Sequence, residues 1–134
     1  MTASASDFMK KADRNLKDAH LLFANGSPDG ACNRAYYAMF NAARAALVAR
    51  GHAKEAQAKT HSGLIAAFAQ NIVRPGLVQA AHNRAMNRVQ EYRLLADYIG
   101  DGMSLQEAGD AIDKAEAFVT AIDAQVINKK GIGT

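Results

Sequence analysis

Residues 28–50 of the chain read PDGACNRAYYAMFNAARAALVAR. The stretch follows Ser27, a residue type that caps helices, it starts with a proline, and Gly51 comes directly after it. Between those ends, apolar side chains occupy nearly every face of the helix that this spacing predicts. A helix that is apolar all round needs neighbours on most sides. The stretch is therefore predicted to be the central helix of a bundle.

On either side of this helix, the chain has the apolar spacing of amphipathic helices. One is predicted from about Asp7 to Asn25, with Ser6 as its N-cap, and a short one is predicted after Thr60 or Ser62. The predicted apolar face of the first helix consists of Phe8, Ala12, Leu16, Ala19 and Phe23.

Two more long helices are predicted in the second half of the chain. One runs from about Leu77 to Ile99. The other begins at Ser104, which can form a capping box with Glu107 because each side chain accepts a hydrogen bond from a backbone N–H. Their predicted buried positions are Ala85, Val89, Tyr92, Ala96 and Ile99 in the first, and Leu105, Ala108, Ile112, Ala115, Val119, Ile122 and Val126 in the second.

These helices predict an all-α fold, an antiparallel up-down bundle of four long helices and one short helix. No segment alternates apolar and polar residues with the period of a strand. The length of 134 residues fits a single domain over residues 1–134, in which we expect residues 1–6 and 128–134 to be frayed.

Composition restricts the function. The lone Cys32 has no partner for a disulfide, and the four histidines lack the spacings of metal ligands, so no metal or other cofactor is expected. No apolar run is long enough for a membrane span, and the first residues lack a signal-peptide pattern, which predicts a cytoplasmic protein without membrane contact. The net charge of +3 is compatible with nucleic acid but does not require it.

Two groups of residues are candidates for chemistry. The side chains of Arg34, Tyr37, Asn41 and Arg44 share one stripe of the central helix, either as an anion-binding groove or as its solvent-exposed face. In the helix predicted from about Leu77, Arg93 and Asp97 are four residues apart. They form either an intrahelical ion pair or, together with Tyr98, the wall of a cleft that faces the stripe.

The arrangement of these residues resembles a known superfamily. Residues 34–47 resemble the signature helix of the HEPN (higher eukaryotes and prokaryotes nucleotide-binding) superfamily. Residues 59–65, which contain Thr60-His61-Ser62-Gly63, and residues 93–98 resemble its other landmarks. The order and spacing of the three segments match across nearly the whole chain.

The resemblance implies a homodimer with a polar cleft at its interface. Many members are metal-independent ribonucleases, often toxins encoded beside a minimal nucleotidyltransferase (MNT) that acts as antitoxin. In some pairs the MNT attaches AMP to a tyrosine, and here Tyr98 is the candidate. By the same resemblance, Arg93 would stabilise charge on the phosphate, and RNA or a nucleotide would be bound with the help of Arg34, Tyr37, Asn41 and Arg44.

The sequence departs from the family at the ribonuclease motif, an arginine followed four to six residues later by histidine. Asp97 and Tyr98 follow Arg93, and no histidine occurs downstream, so Asp97 is left as the candidate base. Arg14 and His20 match the motif only in the first helix, where the two side chains point in different directions. Whether His61 or His82 reaches the cleft is left open.

Three functions are compatible with the sequence. The first is a HEPN toxin-like subunit, paired with an MNT, that cleaves RNA. The second is a non-catalytic module that binds a nucleotide or assists a nucleotidyltransferase. The third is a helical interaction protein whose groove is only a dimer seam. The missing histidine favours the second, and the resemblance favours the first.

Overall fold

The computed structural model describes residues 3–98 and 102–128, without the side chains of residues 97 and 98. In these ranges it contains no strand, and the predicted all-α bundle of four long helices and one short helix is confirmed. A 3₁₀ turn lies at Glu55–Gln57, and π-helical turns at Ala69–Val73 and Asp123–Ile127 extend the third and fifth helices. The helices are α1 (Ala5–Ala24), α2 (Pro28–Ala49), α3 (His61–Phe68), α4 (Ala80–Tyr98) and α5 (Leu105–Ile122).

The helix α2 lies at the centre of the bundle, as predicted. Thirteen of its 22 residues are buried, and it contacts all four of the other helices. Many of these residues are alanines, whose small side chains let the neighbouring helices approach closely. None of the helices in the described ranges has the length and apolar character needed to cross a membrane.

The helix starts agree with the prediction only in part. The capping box of Ser104 and Glu107 is confirmed, and Thr60 rather than Ser62 caps α3. The N-cap of α1 is Ser4, not Ser6, because the carboxylate of Asp7 can accept the Ser4 N–H and so complete a second capping box. Residues 5 and 6 therefore belong to the first turn of α1. Of the other residues expected to be frayed, 1, 2 and 129–134 lie outside the described ranges.

The buried face of α4 differs from the predicted one. Met86, which is not among the predicted buried positions, is fully buried, whereas Ala85 and Ala96 are only half-buried. Burial of methionine removes more apolar surface from water than burial of alanine, so the helix is turned toward Met86. The predicted Ile99 lies outside the described residues.

Two members of predicted apolar faces are more exposed than expected. Phe23 is 36% exposed and Leu105 is 47% exposed. Phe23 lies in the last turn of α1 and Leu105 is the first residue of α5. At such helix ends, neighbouring helices cover the side chains less completely.

A hydrogen bond joins the start of α2 to the start of α5. Asp29, in the first turn of α2, accepts a hydrogen bond from the Met103 N–H at 2.8 Å. The hydroxyl of Ser27 makes no capping hydrogen bond. Gly102 has a φ of +71°, and a Cβ atom there would lie 2.8 Å from both carboxylate oxygens of Asp29. Glycine at position 102 therefore lets the loop approach Asp29.

We expect Gly102→Ala to destabilise the protein more than Gly26→Ala does. Both glycines have positive φ, and an L-residue costs about 1–2 kcal/mol there. Only Gly102 has a neighbour within 4 Å of the added methyl group, since Gly26 faces open space. Urea denaturation monitored by circular dichroism measures both free energies of unfolding.

The double variant Asp29→Ala/Gly102→Ala is the control. Removal of the carboxylate should relieve the additional loss caused by the methyl group, although the hydrogen bond to Met103 is then also lost. Equal losses in Gly26→Ala and Gly102→Ala would contradict the proposed contact between the loop and Asp29.

Candidate functional site

The polar stripe of α2 is exposed at Arg34 and is more buried further along the helix. Arg34 is exposed, Tyr37 and Arg44 are half-buried, and Asn41 is only 8% exposed. The side-chain amide of Asn41 donates to Oδ1 of Asn15 on α1 at 2.8 Å. Because a buried amide is costly without a hydrogen bond, this contact explains how α2 accommodates Asn41.

His61 lies against aromatic rings of α2. Its Nδ1 atom is 2.8 Å from the hydroxyl of Tyr36, which is fully buried. The rings of His61 and Tyr36 are parallel, with centroids 5.4 Å apart, and the Phe40 centroid is 4.9 Å from that of His61. His61 is the first residue of α3, where the Thr60 hydroxyl accepts the Gly63 N–H at 2.9 Å. The position of His61 therefore depends on this cap.

Two arginines lie beside the same aromatic rings. The Cζ atom of Arg44 is 4.5 Å from the Phe40 centroid, and that of Arg93 is 4.8 Å from the Tyr36 centroid. Both are cation–π distances. The Nε atom of Arg44 is buried and has no hydrogen-bond partner among the described residues. We call these five residues the His61 cluster; they are Tyr36, Phe40, Arg44, His61 and Arg93.

The electrostatics of the His61 cluster favour a neutral imidazole. Burial lowers the pKa of His61 below its ordinary 6.5, and the positive charges of Arg93 and Arg44 lower it further. Burial raises the pKa of Tyr36 to about 12, so its phenol stays protonated at neutral pH. Burial also lowers the pKa of Arg44 from its ordinary value. An arginine nevertheless remains charged at physiological pH. At pH 7 the cluster thus combines two cations with an uncharged imidazole.

The other histidines of interest lie elsewhere. His82 packs edge-on against Phe118, with centroids 6.2 Å apart, and burial lowers its pKa. His20 contacts the carboxylate of Glu116 on α5, and Arg14 lines a groove between α1 and α2. Of the histidines that the sequence left open, His61 is the one that contacts aromatic rings of α2 and the one on whose pKa both arginines act.

Two surface depressions meet at Tyr37. The α1–α2 groove has a volume of about 330 Å³, and the α2–α4 depression has a volume of about 360 Å³. The groove contains Arg34 and the depression contains Arg93, so the two arginines line adjacent spaces. The groove is lined by Lys11, Arg14, Asn15, Asp18, Arg34, Tyr37 and Asn41, and the depression by Asp29, Gly30, Asn33, Tyr37, Arg93 and Ala96.

The side chains of Asp97 and Tyr98 lie outside the described part of the structure, so their roles stay predictions. Their backbone forms the end of α4. Arg93, on the same helix, donates from Nε to the side chain of Gln90 at 3.1 Å. No cluster of three or more His, Cys, Asp or Glu side chains that could hold a metal ion occurs within residues 3–98 and 102–128.

Sequence reasoning missed the contribution of α1 to the site. Lys11 and Asn15 were not candidates, yet both line the α1–α2 groove. A signal existed for Asn15, which lies between Ala12 and Ala19 at helical spacing and therefore on the buried face. A polar residue in that place requires a partner, and the predicted stripe of α2 contained one in Asn41.

Comparison with known proteins gives relatives of similar length. A "UPF0332 protein" of Thermotoga maritima is 36% identical over 123 residues, which cover 90% of this chain and 89% of the relative. The "Putative toxin MJ0605" of Methanocaldococcus jannaschii is 35% identical, over 83% of this chain and 80% of the relative. A third relative, the "UPF0332 protein glr0978" of Gloeobacter violaceus, is 34% identical over 89% of this chain and 93% of its own length.

The family comparison covers the same helices that form the site. The model of the HEPN domain matches residues 5–125, from the start of α1 into the π-helical turn after α5. This range includes the His61 cluster and both surface depressions. The chain belongs to the HEPN domain family.

Proposed function

We propose that this protein is a toxin-like HEPN subunit that cleaves RNA without a metal ion and is neutralised by an MNT antitoxin. Membership of the HEPN family and two relatives named as "Putative toxin" support this biological context. The observation that carries the chemistry is the position of His61, whose imidazole is kept neutral by burial and by Arg44 and Arg93.

In the proposed reaction, Arg93 and Arg44 hold the scissile phosphate and stabilise its developing charge. The Nε2 atom of His61 takes the proton of the ribose 2′-hydroxyl as O2′ attacks phosphorus. The bond between phosphorus and O5′ breaks, and the protonated His61 returns the proton to O5′. The products are a 2′,3′-cyclic phosphate and a 5′-hydroxyl end. His61 thereby supplies the acid and base that the missing family histidine would provide.

The two candidate functions require different tautomers of His61 at its contact with Tyr36. If Nδ1–H donates to the Tyr36 oxygen, the lone pair of Nε2 is available as a base. If the Tyr36 hydroxyl donates to Nδ1, Nε2 carries the hydrogen and can only donate it to a bound phosphate. The second tautomer suits a module that binds a nucleotide or assists a nucleotidyltransferase, and we retain that function as the alternative.

The partners and the remaining residues belong to the same proposal. Asp97 is a second candidate base, and Tyr98 is the candidate acceptor of AMP from the MNT. Leu94 and Leu95 are 45% and 51% exposed on the same helix as Arg93. Exposed leucines beside a polar cleft fit a homodimer that buries them.

The first test is RNA cleavage in a buffer that contains a chelator. We expect the wild type to cut RNA, and His61→Gln to reduce the rate by about 100- to 10,000-fold, because general acid–base catalysis contributes that much. Arg93→Gln should reduce the rate by about 100- to 1,000-fold through lost charge stabilisation. Gel analysis of the products and their ends measures both effects.

His20→Gln is the matched control, since His20 lies outside the cluster and contacts Glu116. Its rate should equal that of the wild type. Folding of each variant is checked by its thermal melting curve. A wild type that binds RNA but leaves it intact would support the non-catalytic alternative, and full activity of His61→Gln would remove His61 from the mechanism.

The second test measures the pKa of His61 directly by NMR titration of its imidazole. Because Arg93 and Arg44 disfavour the imidazolium, Arg93→Gln and Arg44→Gln should each raise this pKa toward 6.5. The rate of cleavage by the wild type should fall as the pH drops below 6.5, because His61 then becomes protonated. At pH 7 the activity should be full.

Arg84→Gln serves as the control in this titration. Arg84 is exposed on the same helix as Arg93, and its charge is not among those that act on His61. An unchanged pKa in Arg93→Gln, or a pKa above 6.5 in the wild type, would contradict the electrostatic arrangement proposed for the cluster.

The third test addresses the partner. We expect a small nucleotidyltransferase to be encoded beside this gene, and its co-expression should give a complex from which this chain emerges heavier by one or more AMP units. Intact mass spectrometry measures the shift, and Tyr98→Phe should abolish it while Tyr92→Phe does not. A shift that persists in Tyr98→Phe would place the modification elsewhere.

A further inference from the structure

We infer that the α1–α2 groove is a second phosphate-binding site, which holds the backbone of a single-stranded RNA beyond the nucleotide at the His61 cluster. The inference rests on the proposed function. It extends the substrate from one phosphodiester to a strand of several nucleotides. Four observations on the groove support it.

The first observation is the charge of the groove. Its lining contains three cations, Lys11, Arg14 and Arg34, and one acid, Asp18. The ion pairs within the described ranges involve none of these four residues. Cations that face a shared space without a carboxylate partner attract anions, and arginine matches the geometry of a phosphate. The charge therefore favours a phosphate in the groove.

The second observation is the pair of side-chain amides that line the groove. Asn41 is 8% exposed and donates to Asn15 at 2.8 Å, which fixes the Asn15 side chain at the junction of the two helices. The amide NH₂ of Asn15 donates to no other residue in the described part of the chain. A fixed amide in the lining of the groove can donate to a phosphate or ribose oxygen.

The third observation is that the groove adjoins the α2–α4 depression, which contains Arg93. Tyr37 lines both spaces, so a strand that has one phosphate at Arg93 reaches the groove by crossing Tyr37. The two volumes, about 330 and 360 Å³, are each in the range of small-ligand pockets. Each can therefore hold a separate part of the same strand.

The fourth observation is the way in which the Tyr37 ring is held. Its centroid lies 5.4 Å from that of Tyr36, 6.0 Å from that of Phe40 and 5.8 Å from that of His61, always nearly perpendicular. The ring is thus fixed by edge contacts, while the residue stays half-buried at the border of both spaces. A fixed, partly exposed ring between two phosphate sites suits stacking by an unpaired base. The occupant that fits is single-stranded RNA.

The experiment compares two double variants of α1 that remove the same charge. Lys11→Gln/Arg14→Gln changes residues that line the groove, and Lys10→Gln/Lys17→Gln changes exposed residues of the same helix that do not. The probe is a fluorescent single strand with 2′-O-methyl riboses, which cannot be cleaved, roughly eight nucleotides long. Fluorescence anisotropy at several salt concentrations gives its affinity. A 2′-O-methyl dinucleotide, observed through the NMR signals of the His61 imidazole, reports on the His61 cluster alone.

We expect Lys11→Gln/Arg14→Gln to lower the affinity of the protein for the longer strand about tenfold. The magnitude of the slope of log affinity against log salt concentration should fall by about 0.7 for each phosphate contact that is lost. The control variant should change its affinity by less than about twofold, because its lysines lie outside the groove. Binding of the dinucleotide should be unchanged in both variants, since neither alters the His61 cluster.

The outcomes separate the inference from the proposed function. Equal affinities of the two double variants for the longer strand would overturn the groove site, while binding of the dinucleotide would leave the function in place. A loss of dinucleotide binding in Lys11→Gln/Arg14→Gln would also overturn it, because the groove would then not be a separate site. If the wild type binds neither probe, the proposed function fails and the inference fails with it.

Discussion

The burial of α2 on nearly all sides is the constraint on which the rest of the structure depends. A buried polar side chain on a central helix is costly unless another element satisfies it. Asn41 is satisfied by Asn15 of α1, and the hydroxyl of Tyr36 is satisfied by His61 of α3. At the helix start, Asp29 accepts from Met103 beside α5. The same contacts that fix the neighbouring helices around α2 also assemble the site.

The His61 cluster places like charges close to the core, which is costly unless something offsets it. The rings of Phe40 and Tyr36 offset part of this cost through cation–π contacts with Arg44 and Arg93. Both cations also disfavour a third positive charge on His61. An anion bound between the two arginines would relieve this repulsion, which is the reason that the proposed function places a phosphate there.

The fold could be predicted from the sequence because its signals are local. The apolar pattern of α2 and the capping box at Ser104 depend on residues close in sequence, and both were confirmed. The buried face of α4 was misplaced by one residue, at Met86, since packing against a specific neighbour decides between adjacent positions. The candidate site was harder to predict from the sequence than the fold. The stripe of α2 was recognised, but the approach of His61 to Tyr36 across 25 positions is a tertiary contact that spacing does not encode.

The residue at position 63 affects the first turn of α3, where His61 lies. A Cβ atom on Gly63 would lie 2.7 Å from the Thr60 hydroxyl that caps the helix, and 3.6 Å from the Cβ of Ala58. We expect a side chain there to displace this hydroxyl and, because His61 begins the same turn, to shift the imidazole as well. Under the proposed function, one methyl group at this position would therefore lower activity while every polar group of the His61 cluster is kept.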